Sequence, residues 1–239
     1  MRKLFFLLLL IPILGMSQTK NLVNSFRVFA KTDKNAEFIK AFTAHAQKYH
    51  TGNWKWRVFE IQTGPDAGGF HVIEGPLSWN EFDTRGDLGA EHTADWNKNV
   101  APLTTSMGTQ SYASYEADLS TVQLNDLSDK IILNHIFPKP GTVVGVTALV
   151  KKLKKVWEAG NESVAVYTAE YSGAPQIITS TRLKGGLKEL DDSFRKPMPE
   201  RFNAVYGEGS WDTYLGDYAK FVESRWSELL FYRADLSSK

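Results

Sequence analysis

Five histidines, His45, His50, His71, His92 and His135, are the side chains of this sequence that titrate near neutrality without perturbation, and so the first candidates for proton transfer or metal ligation. His92 follows Glu91 directly and stands one helical turn before Trp96, in a stretch (Gly89 to Trp96) that is polar for a helix packed on a sheet. It can act there as a general base or axial ligand, although a half-buried histidine stacked beside a tryptophan is the plainer reading. His71 shares a strand side with Ile73, and His135 shares one with Leu133 and Phe137, so each either lines an interior cavity or is a hydrogen-bonded core residue. His45 belongs to the apolar stripe of a helix, and His50 lies five residues on, a spacing that puts the two imidazoles on different faces and makes them poor joint ligands. No H-x-x-x-H or H-E-x-x-H occurs and there is no cysteine, so no metal site is expected. His92 and His71 are the candidate catalytic residues.

Aromatic and cationic residues point to a pocket more than to catalysis. Trp54, Trp56 and Arg57 fall on one strand, Tyr112 and Tyr115 on another, and Tyr167, Tyr171 and Arg182 in the second half of the chain, types that give a cavity apolar walls and a few polar handles. Trp56, Arg57, Tyr112, His135 and Tyr167 are the candidate ligand-binding residues. The stripe Trp211, Tyr214, Tyr218 and Phe221 has the spacing of any amphipathic helix and reads as core. There is no G-x-S-x-G, and Gly185-Gly186 lacks the Lys-Ser/Thr of a phosphate loop, so a nucleophile elbow and a Walker site are both excluded.

The elements that must position these residues belong to a globular chain. Lys and Arg number 28 against 27 Asp and Glu, and 42% of residues are hydrophobic, which excludes disorder and leaves no basic excess for nucleic acid. Arg2 and Lys3, then the apolar run Leu4 to Leu14 and the small residues Gly15 and Ser17, read as a signal peptide over 1–17, cleaved after Ser17. A periplasmic or secreted protein follows, with no membrane span left, since no other stretch approaches the roughly 20 apolar residues a span needs.

Tyr115-Glu116-Ala117-Asp118-Leu119-Ser120 recurs as Tyr232-Arg233-Ala234-Asp235-Leu236-Ser237, identical at five of six positions. Around the first copy the pattern predicts a strand over 25–30, a helix over 35–50, a hairpin over 54–62 and 69–74, a helical region from Leu88 to Val100 and a strand over 109–117. Around the second it predicts strand 130–137, helix 143–159, hairpin 163–171 and 176–184, a helix carrying Trp211 to Trp226 and a strand over 229–234. Each half is β-α-β-β-α-β, the ferredoxin-like unit, with 18–122 and 123–239 as the two repeats. Its strands are apolar on both sides (Trp56 and Val58 alternating with Phe59 and Ile61), so the sheet face away from the helices needs a cover that a second sheet can provide.

In this order and repeat the chain resembles the dimeric α+β barrel superfamily, which includes the antibiotic-biosynthesis monooxygenases, EthD-like proteins, haem-degrading enzymes and the NIPSNAP group. The resemblance covers nearly the whole of residues 18–239, but rests on topology, with no motif matched residue by residue. It implies an α+β fold in which two tandem ferredoxin-like repeats pack sheet to sheet as an intramolecular barrel; a homo-oligomer is compatible with it. The expected function is binding of a small apolar or aromatic molecule. The alternative the resemblance implies is a cofactor-independent monooxygenase or haem-binding enzyme using a histidine. The residues themselves identify no cofactor.

Overall fold

The computed structural model describes residues 19–86, 88–106, 108–169 and 171–239. The expected signal peptide lies outside the described residues. The first half runs β1 (Leu22–Val28), α1 (Asn35–Tyr49), β2 (Trp56–Ile61), β3 (Phe70–Leu77), α2 (Trp79–Thr84), α3 (Ala90–Asp95) and β4 (Gln110–Tyr115). The second runs β5 (Lys130–Pro138), α4 (Val143–Ala159), β6 (Val164–Ala169), β7 (Gln176–Arg182), α5 (Met198–Tyr206), α6 (Ser210–Phe221) and β8 (Val222–Tyr232).

Helix α1 forms because Phe38, Phe42, His45 and Ala46 recur every three or four residues and bury one face. Helix α4 does so on Val146, Leu149, Val150, Val156 and Trp157. Helix α2, not predicted, is started by a capping box in which Ser78 Oγ accepts from the Glu81 N–H and Glu81 reaches back to Ser78. The predicted helical region from Leu88 to Val100 is interrupted: α3 stops at Asp95, and a wide turn of π type over Trp96–Val100 carries the chain on. Helix α5 was also not foreseen.

All eight strands close into one antiparallel barrel in the order β1-β3-β2-β8-β5-β7-β6-β4. Each half contributes the ferredoxin-like arrangement, β4-β1-β3-β2 and β8-β5-β7-β6, and the halves join edge to edge where β2 meets β8 and β4 meets β6. Closure removes the sheet edges on which another chain could add strands. Residues alternate between the interior and the helices. Phe59, Ile61, Ile131, Leu133 and Leu230 pack inside, whereas Trp56, Val58, Phe70 and Val72 meet α1 outside, and Val164, Val166 and Ile177 meet α4 on the other flank.

The repeated hexapeptide holds the seams. After β4 the first copy crosses to the second half, where the Val166 N–H donates to Ser120 Oγ at 2.8 Å, the Thr121 N–H donates to Val164 O at 2.8 Å, and Leu119 buries itself among Val146, Leu149 and Phe202. After β8 the second copy does the same in reverse. The Val58 N–H donates to Ser237 Oγ at 3.0 Å, the Ser238 N–H donates to Trp56 O at 3.0 Å, and Leu236 enters the cluster of Phe38, Phe42 and Trp56. The match between the two sequences is therefore a match between two latches.

One boundary corrects the sequence reading. Helix α6 ends at Phe221 and β8 begins at Val222, so Trp226, read above as the end of that helix, is a strand residue paired with His135. Residues 222 and 226 are four apart, which fits a helix stripe and an even strand step equally well; pairing along the whole length of β5 decides for the strand.

Candidate functional site

The barrel interior encloses a cavity of about 310 Å³, within the range of small-molecule sites. Val23, Ile73, Ala113, Ile131, Leu133 and Ile178 form its apolar wall. Its polar groups gather in two places.

The first centres on Glu228. Its carboxylate accepts from Arg27 through both guanidinium nitrogens, one at 2.9 Å, and meets His135 Nε2 at 3.0 Å. His135 Nδ1 lies 2.9 Å from Gln176 Oε1, and its ring stacks on Trp226 with centroids 3.9 Å apart. Asp66, on the β2–β3 hairpin loop, adds a second carboxylate to Arg27 at 2.5 Å. The loop can fold this close because Gly64, at φ +94°, has no side chain; a Cβ there would stand 3.1 Å from Glu228 Cβ. Burial works against the charge on Glu228, yet hydrogen bonds from His135 and Arg27 outweigh it and hold the carboxyl below its usual value.

His71 faces Arg27 across the β1–β3 ladder, and its buried Nδ1 has no partner among the described residues. Burial, with Arg27 adding repulsion, pushes its pKa down to about 3, against attraction from Glu228; His135 also disfavours its charge. The folded chain therefore binds fewer protons than the unfolded one between about pH 6.5 and 3, so the contribution of His71 to stability is complete above 6.5 and is lost as pH falls through that window. At about 1.4 kcal/mol per unit this amounts to several kcal/mol. Denaturant unfolding measured across these pH values should show that slope, and His71→Gln should flatten it.

The second polar place is Arg57. It lines the cavity with Tyr167, and the groups acting on it are Tyr167, Tyr232 and the like charge of Arg182. Among the described residues it has neither a carboxylate nor a hydrogen-bond partner. Arg182 differs: it donates to the Gln123 and Leu124 carbonyls at 2.9 and 3.1 Å. Burial raises the pKa of the Tyr167 phenol and keeps it protonated, able to donate.

A third cluster lies on the outer face of the first half, between the sheet and its helices. His45 Nδ1 meets Asp95 Oδ2 at 2.8 Å, His50 Nε2 is 3.3 Å from His92 Nε2, and His50 Nδ1 is 3.4 Å from Glu74 Oε2. Glu74 also accepts from Trp56 Nε1 at 3.1 Å and Arg85 at 2.9 Å. His50 stacks on Trp56 with centroids 3.4 Å apart, and burial pushes its pKa down to about 4. The reading that put the His45 and His50 imidazoles on different faces is corrected: their ring centroids stand 5.4 Å apart. Helix α1 ends at Tyr49, and His50 has φ −100° and ψ 81°, so the helical angle per residue no longer governs where its ring points.

Of the candidate residues, the structure brings Arg57, His71, His135 and Tyr167 around one cavity and separates the rest from it. Trp56 points outward to the histidine cluster, and His92 lies there too, away from the barrel interior. Tyr112 also points outward, its ring 5.2 Å from Phe82 and 5.5 Å from Trp79; Trp54 packs on Phe82, and Tyr171 is exposed near Trp79. Strand alternation is the reason: Trp56 and Tyr112 have the opposite parity to Arg57 and Ala113. Sequence reasoning missed Arg27, Glu228, Gln176 and Trp226. Glu228 sits in step with Trp226 and Leu230 along β8, a signal hidden by the misplaced helix end.

No known sequence family and no curated protein matches the chain. Solved structures do. A protein described as a monooxygenase from Lactobacillus acidophilus superposes with a TM-score of 0.52 at 10% identity, over 92% of this chain and 96% of that one. An anthrone oxidase-like protein superposes with a TM-score of 0.58 at 12% identity, over 90% and 92%. A mutant chlorite dismutase from Candidatus Nitrospira defluvii gives 0.54 at 7%, over 92% and 94%. Haem, which the resemblance raised, does not fit the residues present. Both nitrogens of His135 are engaged, His71 faces a cavity at the small end of ligand sites, and the other three histidines turn toward one another with ligand atoms within 4.8 Å, which leaves no slot for a macrocycle. No helix among the described residues is long and apolar enough to cross a membrane. The strand order, the single-chain closure and these superpositions together give the protein the fold of the dimeric α+β barrel superfamily.

Proposed function

We propose that the protein is an oxygenase of the cofactor-independent kind, acting on a small aromatic acid or phenol held inside the barrel. The observation that carries this reading is Arg57, a half-buried cation facing a part-open, largely apolar cavity without a counter-charge. A charge partly withdrawn from water is costly unless paired, so an anionic ligand there meets the group that most needs it. His71 supports the chemical step, since its buried Nδ1 is neutral and unpartnered. A phenol or activated C–H that gives its proton to His71 leaves an electron-rich anion beside Arg57; its carbon bonds to molecular oxygen, the co-reactant, the peroxide anion so formed takes the proton back from His71, and loss of water from the hydroperoxide leaves the carbonyl product. The substrate anion also supplies the counter-charge that burial denies the imidazolium. Likeness in fold to proteins described as a monooxygenase and as anthrone oxidase-like favours oxygen as that co-reactant.

Trp226 lines the cavity and reports binding by its fluorescence. Naphthoate should quench it saturably, and Arg57→Gln should weaken that binding roughly tenfold to a hundredfold, the worth of one charged hydrogen bond, while leaving neutral hydroxymethylnaphthalene unaffected. With anthrone as substrate, oxygen uptake should fall in His71→Gln more than binding does. Absence of saturable quenching, or equal binding of both probes by Arg57→Gln and the parent, would refute the cavity assignment. Export with removal of residues 1–17 belongs to the same proposal; the exported chain should begin at Gln18 by mass spectrometry.

A further inference from the structure

We infer that His45, His50 and His92 form a centre for one divalent transition-metal ion, held through their Nε2 atoms on the outer face of the first half and separate from the barrel cavity. Three observations converge. The separation of His50 Nε2 and His92 Nε2, 3.3 Å, is close to the edge of a tetrahedron whose metal–nitrogen bonds are about 2.0–2.1 Å, and the third ligand atom lies within 4.8 Å, near enough to close by side-chain rotation. His45 Nε2 is fully buried and has no partner among the described residues. One of the remaining nitrogens is oriented from behind, His45 Nδ1 by Asp95 at 2.8 Å, while Glu74 stands 3.4 Å from His50 Nδ1 without a hydrogen bond to it. A carboxylate behind a ligating imidazole fixes its tautomer and raises its basicity.

Two carboxylates, Asp95 and Glu74, stand against the rings, with the guanidinium of Arg85 on Glu74 and the ammonium of Lys48 acting on His45. Stacking of His50 on Trp56 limits the motion of that ring. An all-imidazole set suits Zn²⁺, Cu²⁺ or Ni²⁺ better than Mg²⁺ or Ca²⁺. His50 and His92, but not His45, border a cavity of about 260 Å³ lined also by Asn24, Glu74, Arg85 and Gln110. Three protein ligands with an open fourth position facing polar groups is the arrangement of a reactive zinc-type centre, able to take water or a small oxyanion.

The test uses the full chain, stripped with a chelator and then titrated with ZnCl₂ by calorimetry and with Co²⁺ by visible absorption. One equivalent per chain is expected, with the intense d–d bands of a four-coordinate cobalt site. His92→Gln, at a half-buried position that does not threaten folding, should weaken binding by more than roughly 100-fold, and Asp95→Asn by about 10–100-fold. Zinc at 1,000 times its Kd should raise the melting temperature of the parent by roughly 8–16 °C and leave His92→Gln unmoved. Absence of a saturable equivalent, or one that survives in both His92→Gln and His50→Asn, overturns the assignment; both variants are first shown to match the metal-free parent in circular dichroism.

Discussion

Glu228→Ala should cost about 3–5 kcal/mol of folding stability, because it leaves the Arg27 guanidinium with only the part-exposed Asp66 and takes the carboxylate from His135 inside the barrel. For a chain of this size that is a fall in melting temperature of roughly 6–20 °C, measurable by calorimetry. Asp66→Asn provides the contrast. It removes the other carboxylate from the same arginine, but Asp66 is 30% exposed while Glu228 is 0%, so water can take its place and the cost should be about 0–1 kcal/mol. If the two variants melt alike, burial is not what gives Glu228 its weight. Pairing Glu228→Leu with Arg27→Met should recover most of the loss, since an apolar pair of similar volume avoids the desolvation that the ion pair must offset.

Leu236→Ala should be nearly as damaging, about 2–5 kcal/mol, although it lies beyond the last strand, outside the barrel's ladder. Leu236 is 1% exposed and wedged against α1 and β2 of the opposite half, and its counterpart Leu119 is 4% exposed against α4 and α5. Leu119→Ala should therefore cost a similar amount. The two leucines belong to separate clusters without shared members, so the double variant should equal the sum of the singles within about 0.5 kcal/mol. Denaturant unfolding gives both numbers. A cost below 1 kcal/mol for Leu236→Ala would mean that the C-terminal copy of the hexapeptide is an ornament on β8 instead of a latch.

The order β-α-β-β-α-β, twice, could be read from periodicity because each strand alternates and each long helix carries one stripe, patterns that depend on near neighbours in the chain. The hexapeptide repeat was legible for a related reason: both copies meet the same local demand, a turn that caps its strand and presents leucine and serine sideways. Its role was not legible, since each copy bonds to strands of the other half. The parity of β2 and β4 could have separated Arg57 from Trp56 and Ala113 from Tyr112, but parity alone does not say which face looks into the barrel.

By itself, then, the sequence determined the order of the strands and of the long helices α1 and α4, the repeat of that order and the presence of apolar surface on both sides of the strands, from which two sheets packed face to face follow. Only the tertiary structure decided which polar residues meet. Arg27, Glu228 and His135 come from β1, β8 and β5, strands far apart in the chain that barrel closure makes neighbours through β3 and β2 on one side and directly on the other. His45, His50 and His92 converge because a helix ends one residue before His50 and a second helix crosses over it. Periodicity carries information over a few residues, whereas a site is set by chain reversals and strand registers, and these are fixed by the packing of the whole molecule.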